Sequence, residues 1–284
     1  MGLRIQNNIE AFNTHRQLTA TSSLASKSME KLSSGYRINR AADDAAGLGI
    51  SEKMRGQIGG LAQAQRNAQD GISLVQTAEG ALAEVHSMLS RVRDLKVQFN
   101  NGTLDNNDKE AIGAEVVEIA KEVRDILDDT KFNGKTLFGA SDTFKFQVGA
   151  NQGETIDIAA TKLDGTVLSD GLGKLTALSA STAAGAVSAF NDQGLSDIDD
   201  IDQMIKNVSQ VRGTYGAVQN RLEHRLANLA TYQENLTASE SRIRDVDMAA
   251  EMTKFTKLNI LQQAGTSMLA QANQAPQGVL SLLR

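Results

Sequence analysis

The sequence has no cysteine, no tryptophan and a single proline, Pro276, and only 4% of its 284 residues are aromatic. Without cysteine there is no disulfide framework, no thiol nucleophile and no cysteine-ligated metal centre. The three isolated histidines do not change that: none of His15, His86 or His224 opens a His-Glu-x-x-His run. Scarce aromatics mean a thin core, because Phe, Tyr and Trp supply much of the buried area of a globular domain. One proline leaves long helices uninterrupted, and apolar residues that are mostly Ala, Leu, Ile and Val suit close helix packing. No run approaches the roughly 20 apolar residues of a membrane span. The opening MGLRIQNNIEAF lacks the apolar stretch of a secretory signal peptide, so an exported protein is expected to leave by another route.

Charge is uneven. Residues 100–202 hold 19 acidic and 8 basic side chains, a net of −11, against −5 for the whole chain, which leaves the two flanks together at +6. That basic surplus is diluted by Gln, Asn, Ser and Ala, without Lys/Arg clusters or stacking aromatics, so neither nucleic acid nor membrane is an expected partner. Ser28-Met29-Glu30-Lys31 fits Ser-x-x-Lys, but Ser-Asp-Asn and Lys-Thr-Gly are missing. Asp197, Asp199, Asp200 and Asp202 lack the glycine and closing glutamate of a calcium loop and suit the positive end of a helix. No catalytic residue, metal or cofactor is expected. Asn101-Gly102-Thr103 and Asn235-Leu236-Thr237 fit the N-glycosylation pattern, a weak signal.

What the sequence does contain is helical periodicity. Ala11, His15, Leu18, Ser22, Ala25, Met29, Leu32 and Tyr36 recur in steps of four and three. Leu258, Leu261, Gly265, Met268, Ala272, Ala275, Val279 and Leu282 do so more cleanly at the other end. Each arm carries an incomplete apolar seam, so each needs a partner, either the other arm or another molecule. Between them, Gln57–Phe99 reads as one long helix, with Ile58, Leu61, Gln65, Ala68, Ile72 and Val75 on a seam that resumes at Ala78, Leu82, Val85, Leu89 and Val92. Gly71 and Gly80 inside it are expected to allow close backbone approach. A second helix is expected over 107–130, stopped by Asn133-Gly134. Alternation at Phe144, Phe146 and Val148, then at Ile156 and Ile158, gives a β-hairpin over about 144–158. Residues 161–194 are small, Gly/Ser/Ala-rich and aperiodic, an expected surface loop. Ser196 and Asp199 resemble a capping box opening a last long helix to about Ser239. The expected fold is mainly α: an elongated rod of long antiparallel coiled-coil-like helices with a small β-hairpin, both termini at one end.

Three stretches at the N-terminal side carry a resemblance: Lys31-Leu32-Ser33-Ser34-Gly35-Tyr36-Arg37-Ile38-Asn39-Arg40, the following Ala41 to Glu52, and NAQDGISLVQTAEGAL from Asn67 to Leu82. They resemble the N-terminal segment of bacterial flagellin. Gly216 to Leu222, ENLTASESRIRDVDMA from Glu234 to Ala249, and MLAQANQAPQGVLSLLR from Met268 to Arg284 resemble its C-terminal segment. Two departures are Gly49, where the family commonly has Ala, and Tyr36, where Leu is usual.

The resemblance implies a short flagellin without large outer domains. Residues 1–44 and 243–284 would be terminal arms forming the inner core of a filament, 45–160 with 195–242 the rod domain, and 161–194 the variable insertion. Such a protein is an extracellular structural subunit of the flagellar filament, exported unfolded and non-enzymatic. Its partners would be other copies of itself, an export chaperone, the filament cap and hook-associated proteins. A hook-filament junction protein, with related terminal helices, is the alternative. The assembly seam would comprise Leu18, Ala25, Leu32, Leu258, Leu261, Met268, Ala272, Val279 and Leu282. Resemblance also implies a surface read by the vertebrate flagellin-sensing Toll-like receptor, with Arg91, Leu95 and Glu115 as contacts.

Overall fold

A computed structural model describes residues 8–138, 143–159, 187 and 197–282, with Ala159 and residues 275–282 described as main chain only. Along the described chain run α1 (Ile9–Ser34), α2 (Ala45–Phe99), α3 (Asn106–Asp129), β1 (Lys131–Phe132), β2 (Lys135–Thr136), β3 (Thr143–Gln147), β4 (Thr155–Ala159), α4 (Ile198–Arg244) and α5 (Met248–Leu282). The expected insertion, 161–194, and the capping Ser196 lie outside the described residues, apart from Val187.

Helix ends follow local chemistry. Asn8 caps α1, its side chain accepting from Ala11 N at 3.1 Å, and Gly35 ends it at φ 76° with its N–H on Lys31 O. Asp105 and Asp108 form a reciprocal capping box at the start of α3. Helix α2 begins twelve residues before the expected Gln57, because nothing in Ala45–Arg55 breaks a helix once Asp44 accepts from Gly47 N at 2.8 Å. Asn133-Gly134 does more than stop a helix. With φ of 49° and 78° it forms the two-residue turn of a second small antiparallel hairpin, β1–β2.

The chain divides into two compact units, Met1–Gln57 with Glu234–Arg284, and Ile58–Gln233. The second unit holds the main core. Ala68, Val75, Ala78, Leu82, Val85, Leu89 and Val92 form a buried stripe on α2, joined by Val116, Ala120 and Val123 from α3 and by Ile201, Val208 and Leu222 from α4. The seam read from the sequence is thus the packing face, although Ile58, Gln65 and Ile72 are only half-buried. Strands β3 and β4 pair Phe144 with Ile158 and Phe146 with Ile156, and Ile156 and Ile158 are buried in the same core. Two main-chain carbonyls fix this hairpin to the helices: Gln147 O accepts from Asn67 Nδ2 and Val148 O from Arg225 Nε, both at 3.0 Å.

One buried residue runs against the pattern. Lys96 is 2% exposed, its Nζ 5.4 Å from the centre of the Phe99 ring. Burial holds its pKa below the usual lysine value, with Asp197 pulling the other way.

The two helical glycines differ. A Cβ on Gly71 would lie 3.3 Å from Leu222 Cδ1 and 3.4 Å from the Phe146 ring, a close approach that favours glycine, whereas one on Gly80 would meet nothing within 4 Å. The expectation of a packing role holds for Gly71 and fails for Gly80. Gly80→Ala should therefore stabilise the protein by about 0.5–1 kcal/mol, since it removes only backbone freedom. Gly71→Ala should gain nothing or lose stability. Urea melts of the two variants check this, and an equal gain from both would contradict it.

Candidate assembly surface

In the first unit, Met1–Gln57 with Glu234–Arg284, α1 lies against α5. Asn8 Nδ2 donates to Ala272 O at 2.7 Å, Leu18 faces Gly265, and the Ser28 hydroxyl donates to Glu251 Oε1. Ascending numbers on α1 meet descending numbers on α5, so the pair is antiparallel. The contact face is rich in small residues: Ala25, Ser28 and Ala272 are buried, and a Cβ on Gly265 would sit 3.3 Å from Leu18 Cδ1. Small side chains let the helices approach closely but bury little area.

The expected seam is split by this pairing. Ala25, Leu258 and Ala272 are buried, and Leu18 and Leu32 half-buried, between the helices. Leu261 and Met268 instead face outward at 47% and 55% exposure. Met29, read on the α1 seam, is also exposed, and the buried position beside it is taken by Ser28. The side chains of Val279 and Leu282 lie outside the described residues. Among the described residues twelve large apolar side chains are prominently exposed. Ten of them belong to this unit: Ile9, Phe12, Leu24, Met29 and Ile50 on one side of the sequence, Met248, Met252, Ile260, Leu261 and Met268 on the other.

The segment from Gly35 to Arg40, part of one stretch that carries the sequence resemblance, ties the ends of this unit together. Arg37 N donates to Arg244 O at 2.6 Å and Val246 N to Gly35 O at 3.0 Å, while Tyr36 bridges Asp245. Arg244 packs its guanidinium 4.9 Å from the Tyr36 ring centre and reaches Glu52 Oε1 at 2.6 Å. Ile38 is buried, and Asp43 Oδ2 accepts from the main-chain N–H groups of Arg40 and Asn39, which hold its carboxyl below the usual range. Gly49 is exposed with nothing within 4 Å of a Cβ, so nothing packed against it explains the departure there. None of the bridges from Asn8, Ser28 or Arg244 was legible in the sequence, because they pair residues 192 to 264 positions apart through single polar atoms.

In the second unit, Arg91 and Glu115 meet across α2 and α3 at 2.7 Å, both well exposed. Leu95, expected beside them as an apolar contact, is 1% exposed and belongs to the core, because its position on α2 continues the buried stripe toward Phe99. The surface at this point is made by the ion pair.

The fold is thus a helical protein whose paired terminal helices leave large apolar side chains uncovered. The family models for the bacterial flagellin N-terminal and C-terminal helical regions match residues 5–143 and 198–283. The chain belongs to the bacterial flagellin family, whose members are structural proteins and not enzymes. It is 53% identical over 281 residues to a flagellin of Halalkalibacterium halodurans, covering 99% of each chain. It is 49% identical to a flagellin of Bacillus subtilis, covering 99% of this chain and all of the relative. These full-length matches fit a short flagellin. A putative flagellar hook-associated protein from Vibrio parahaemolyticus shares the fold at TM-score 0.55 and 18% identity, covering 72% of this chain and all of that structure.

Burial between the arms pushes the Glu251 carboxyl up, but the Ser28 hydroxyl and the Lys254 and Lys31 charges outweigh it, so the pKa lies below the usual glutamate value. A depressed carboxylate contributes stability above its unfolded pKa and loses it as pH falls through the folded one. Acidification below the usual glutamate range should therefore loosen the α1–α5 pairing, read as lower amide-exchange protection around Ser28. Glu251→Gln should remove that pH-dependent loss, and an unchanged acid response in the variant would contradict the assignment.

Proposed function

We propose that this chain is the structural subunit of a flagellar filament, polymerising with copies of itself through the terminal helices α1 and α5. The observation that carries the reading is the concentration of exposed large apolar side chains in the first unit, ten of the twelve among the described residues. A surface of that kind is costly in water and marks a contact surface. Full-length identity of about half to flagellins of two bacilli supports the filament subunit. The hook-filament junction reading has weaker support, since its structural relative shares the fold at low identity.

Several finer assignments belong to the same proposal. Residues 1–44 and 243–284 form the inner core of the filament, 45–160 with 195–242 its rod layer, and 161–194 a dispensable insertion. The subunit leaves the cell unfolded, in the care of an export chaperone, and adds beneath a cap beyond hook-associated proteins. Arg91 and Glu115 form a surface that a vertebrate flagellin-sensing receptor reads. An exposed ion pair contributes at most about 1 kcal/mol to folding, so its removal leaves the subunit intact.

Two experiments follow. Deleting Leu258–Arg284 should leave a soluble chain that does not polymerise, and the double change Leu261→Ser and Met268→Ser should raise the critical concentration at least about tenfold, given about 1.5–3 kcal/mol per buried side chain. Normal filaments from the truncated chain, or an unchanged critical concentration in the double variant, would contradict the seam. Arg91→Ala should lower receptor activation by about tenfold while filament yield stays the same. Loss of polymerisation with full receptor activation would assign Arg91 to subunit packing instead.

A further inference from the structure

The turn joining α2 to α3 carries Asn101-Gly102, and the β1–β2 hairpin turns on Asn133-Gly134. At an Asn-Gly pair the main-chain nitrogen of glycine can attack the preceding carboxamide, because no Cβ crowds it. The two pairs of this protein are held in opposite geometries.

Asn101 is exposed, and its Oδ1 accepts from Thr103 N at 3.4 Å. That bond folds the carboxamide back along its own main chain. It also places a donor at the oxygen on which charge develops when Cγ is attacked. Gly102 has its φ outside the left-handed region, a Cβ there would meet nothing within 4 Å, and among the described residues its N–H has no acceptor. The nucleophile is unencumbered, and the carboxamide is held against the same turn. Asn133 is locked by contrast at φ 49°, with Gly134 at 78°, by the flanking pairs Phe132–Lys135 and Lys131–Thr136. In the left-handed region ψ is about +47°, which turns Gly134 N to the side of the Cα–C bond opposite Cβ. From there it does not reach Cγ.

We propose that Asn101 is a self-modification site at which the folded chain deamidates, while Asn133 is protected by its turn. Gly102 N attacks Asn101 Cγ, forming an N–Cγ bond and breaking Cγ–Nδ2. The proton from Gly102 N–H leaves with the amide as ammonia, and a five-membered succinimide remains. Water then adds at Cγ, breaking N–Cγ and returning a proton to the Gly102 nitrogen to give aspartate, or adds at the main-chain carbonyl carbon, breaking that C–N bond instead to give isoaspartate with an extra methylene in the backbone. One water is consumed and one ammonia released, and no oxidant or cofactor is required. The product places a carboxylate just beyond the C-terminal end of α2, where the partial negative charge of the helix disfavours it. Older subunits are thereby marked by a new charge at this turn.

The test is peptide mapping by mass spectrometry, with isoaspartyl methyltransferase labelling, on full-length protein incubated at mildly alkaline pH with and without urea. In the folded chain Asn101 should convert at least about tenfold faster than Asn133. In urea the two should converge, because the turn no longer separates them. Gly102→Ala, which the open backbone tolerates, should slow conversion at Asn101. Conversion of Asn133 as fast as Asn101 in the folded chain would overturn the proposal. So would a gap that persists undiminished in urea, or an unchanged rate in Gly102→Ala.

Discussion

Two helices that meet along a stripe rich in small residues bury only a few of their large ones, Leu258 among them, and this constraint governs the first unit. Ala25, Ser28, Gly265 and Ala272 bring α1 and α5 close, and the price is that Phe12, Leu24, Ile260, Leu261 and Met268 are left facing water. A buried Leu or Met contributes about 1.5–3 kcal/mol, so a handful of them rivals the net stability of a whole domain, about 5–15 kcal/mol. Further copies of the same chain are the economical way to cover such a surface, since each brings an identical face. Polymerisation through that surface would raise the stability of the arms by mass action.

The second unit is built differently. Its stripe on α2 finds complete partners in α3, α4 and the β3–β4 hairpin, and only Val97 and Tyr232 among its described large apolar residues stand prominently exposed. Few aromatics are needed because β-branched and Leu side chains interlock along helices, with Gly71 conceding space to Leu222 and Phe146. One unit is satisfied alone and the other is not, which is the division of labour expected of a filament subunit.

Periodicity made the helices and the larger hairpin legible, because a stripe such as Leu82, Val85, Leu89 and Val92 has one geometric solution. The early start of α2 was missed because Ala45–Arg55 has no strong apolar stripe, and the β1–β2 hairpin because Asn133-Gly134 serves a helix stop and a turn equally well. Face assignment was harder. Met29 and Ser28 are adjacent, and a heptad reading prefers the methionine, yet the close approach of the arms admits only the small hydroxyl residue that also reaches Glu251. Leu95 lies four residues from Arg91, but a buried stripe slightly wider than a heptad seam takes it inward. Lys96 shows another limit: the seam through Leu89 and Val92 runs on through it to Phe99, but a lysine at such a position reads as a break in the stripe and not as part of the core. Polar bridges between the two ends of the chain, such as Arg244 to Glu52, depend on tertiary proximity and leave no periodic trace.

The central claim is that the exposed large apolar side chains of the first unit form the contact between subunits. Peroxide footprinting of methionines, compared between monomer and filament, measures it directly. Met29, Met248, Met252 and Met268 are exposed in the single chain and should oxidise readily in the monomer, then become protected in the filament, while buried Met204 resists in both. Equal reactivity of the four exposed methionines in monomer and filament would contradict the account.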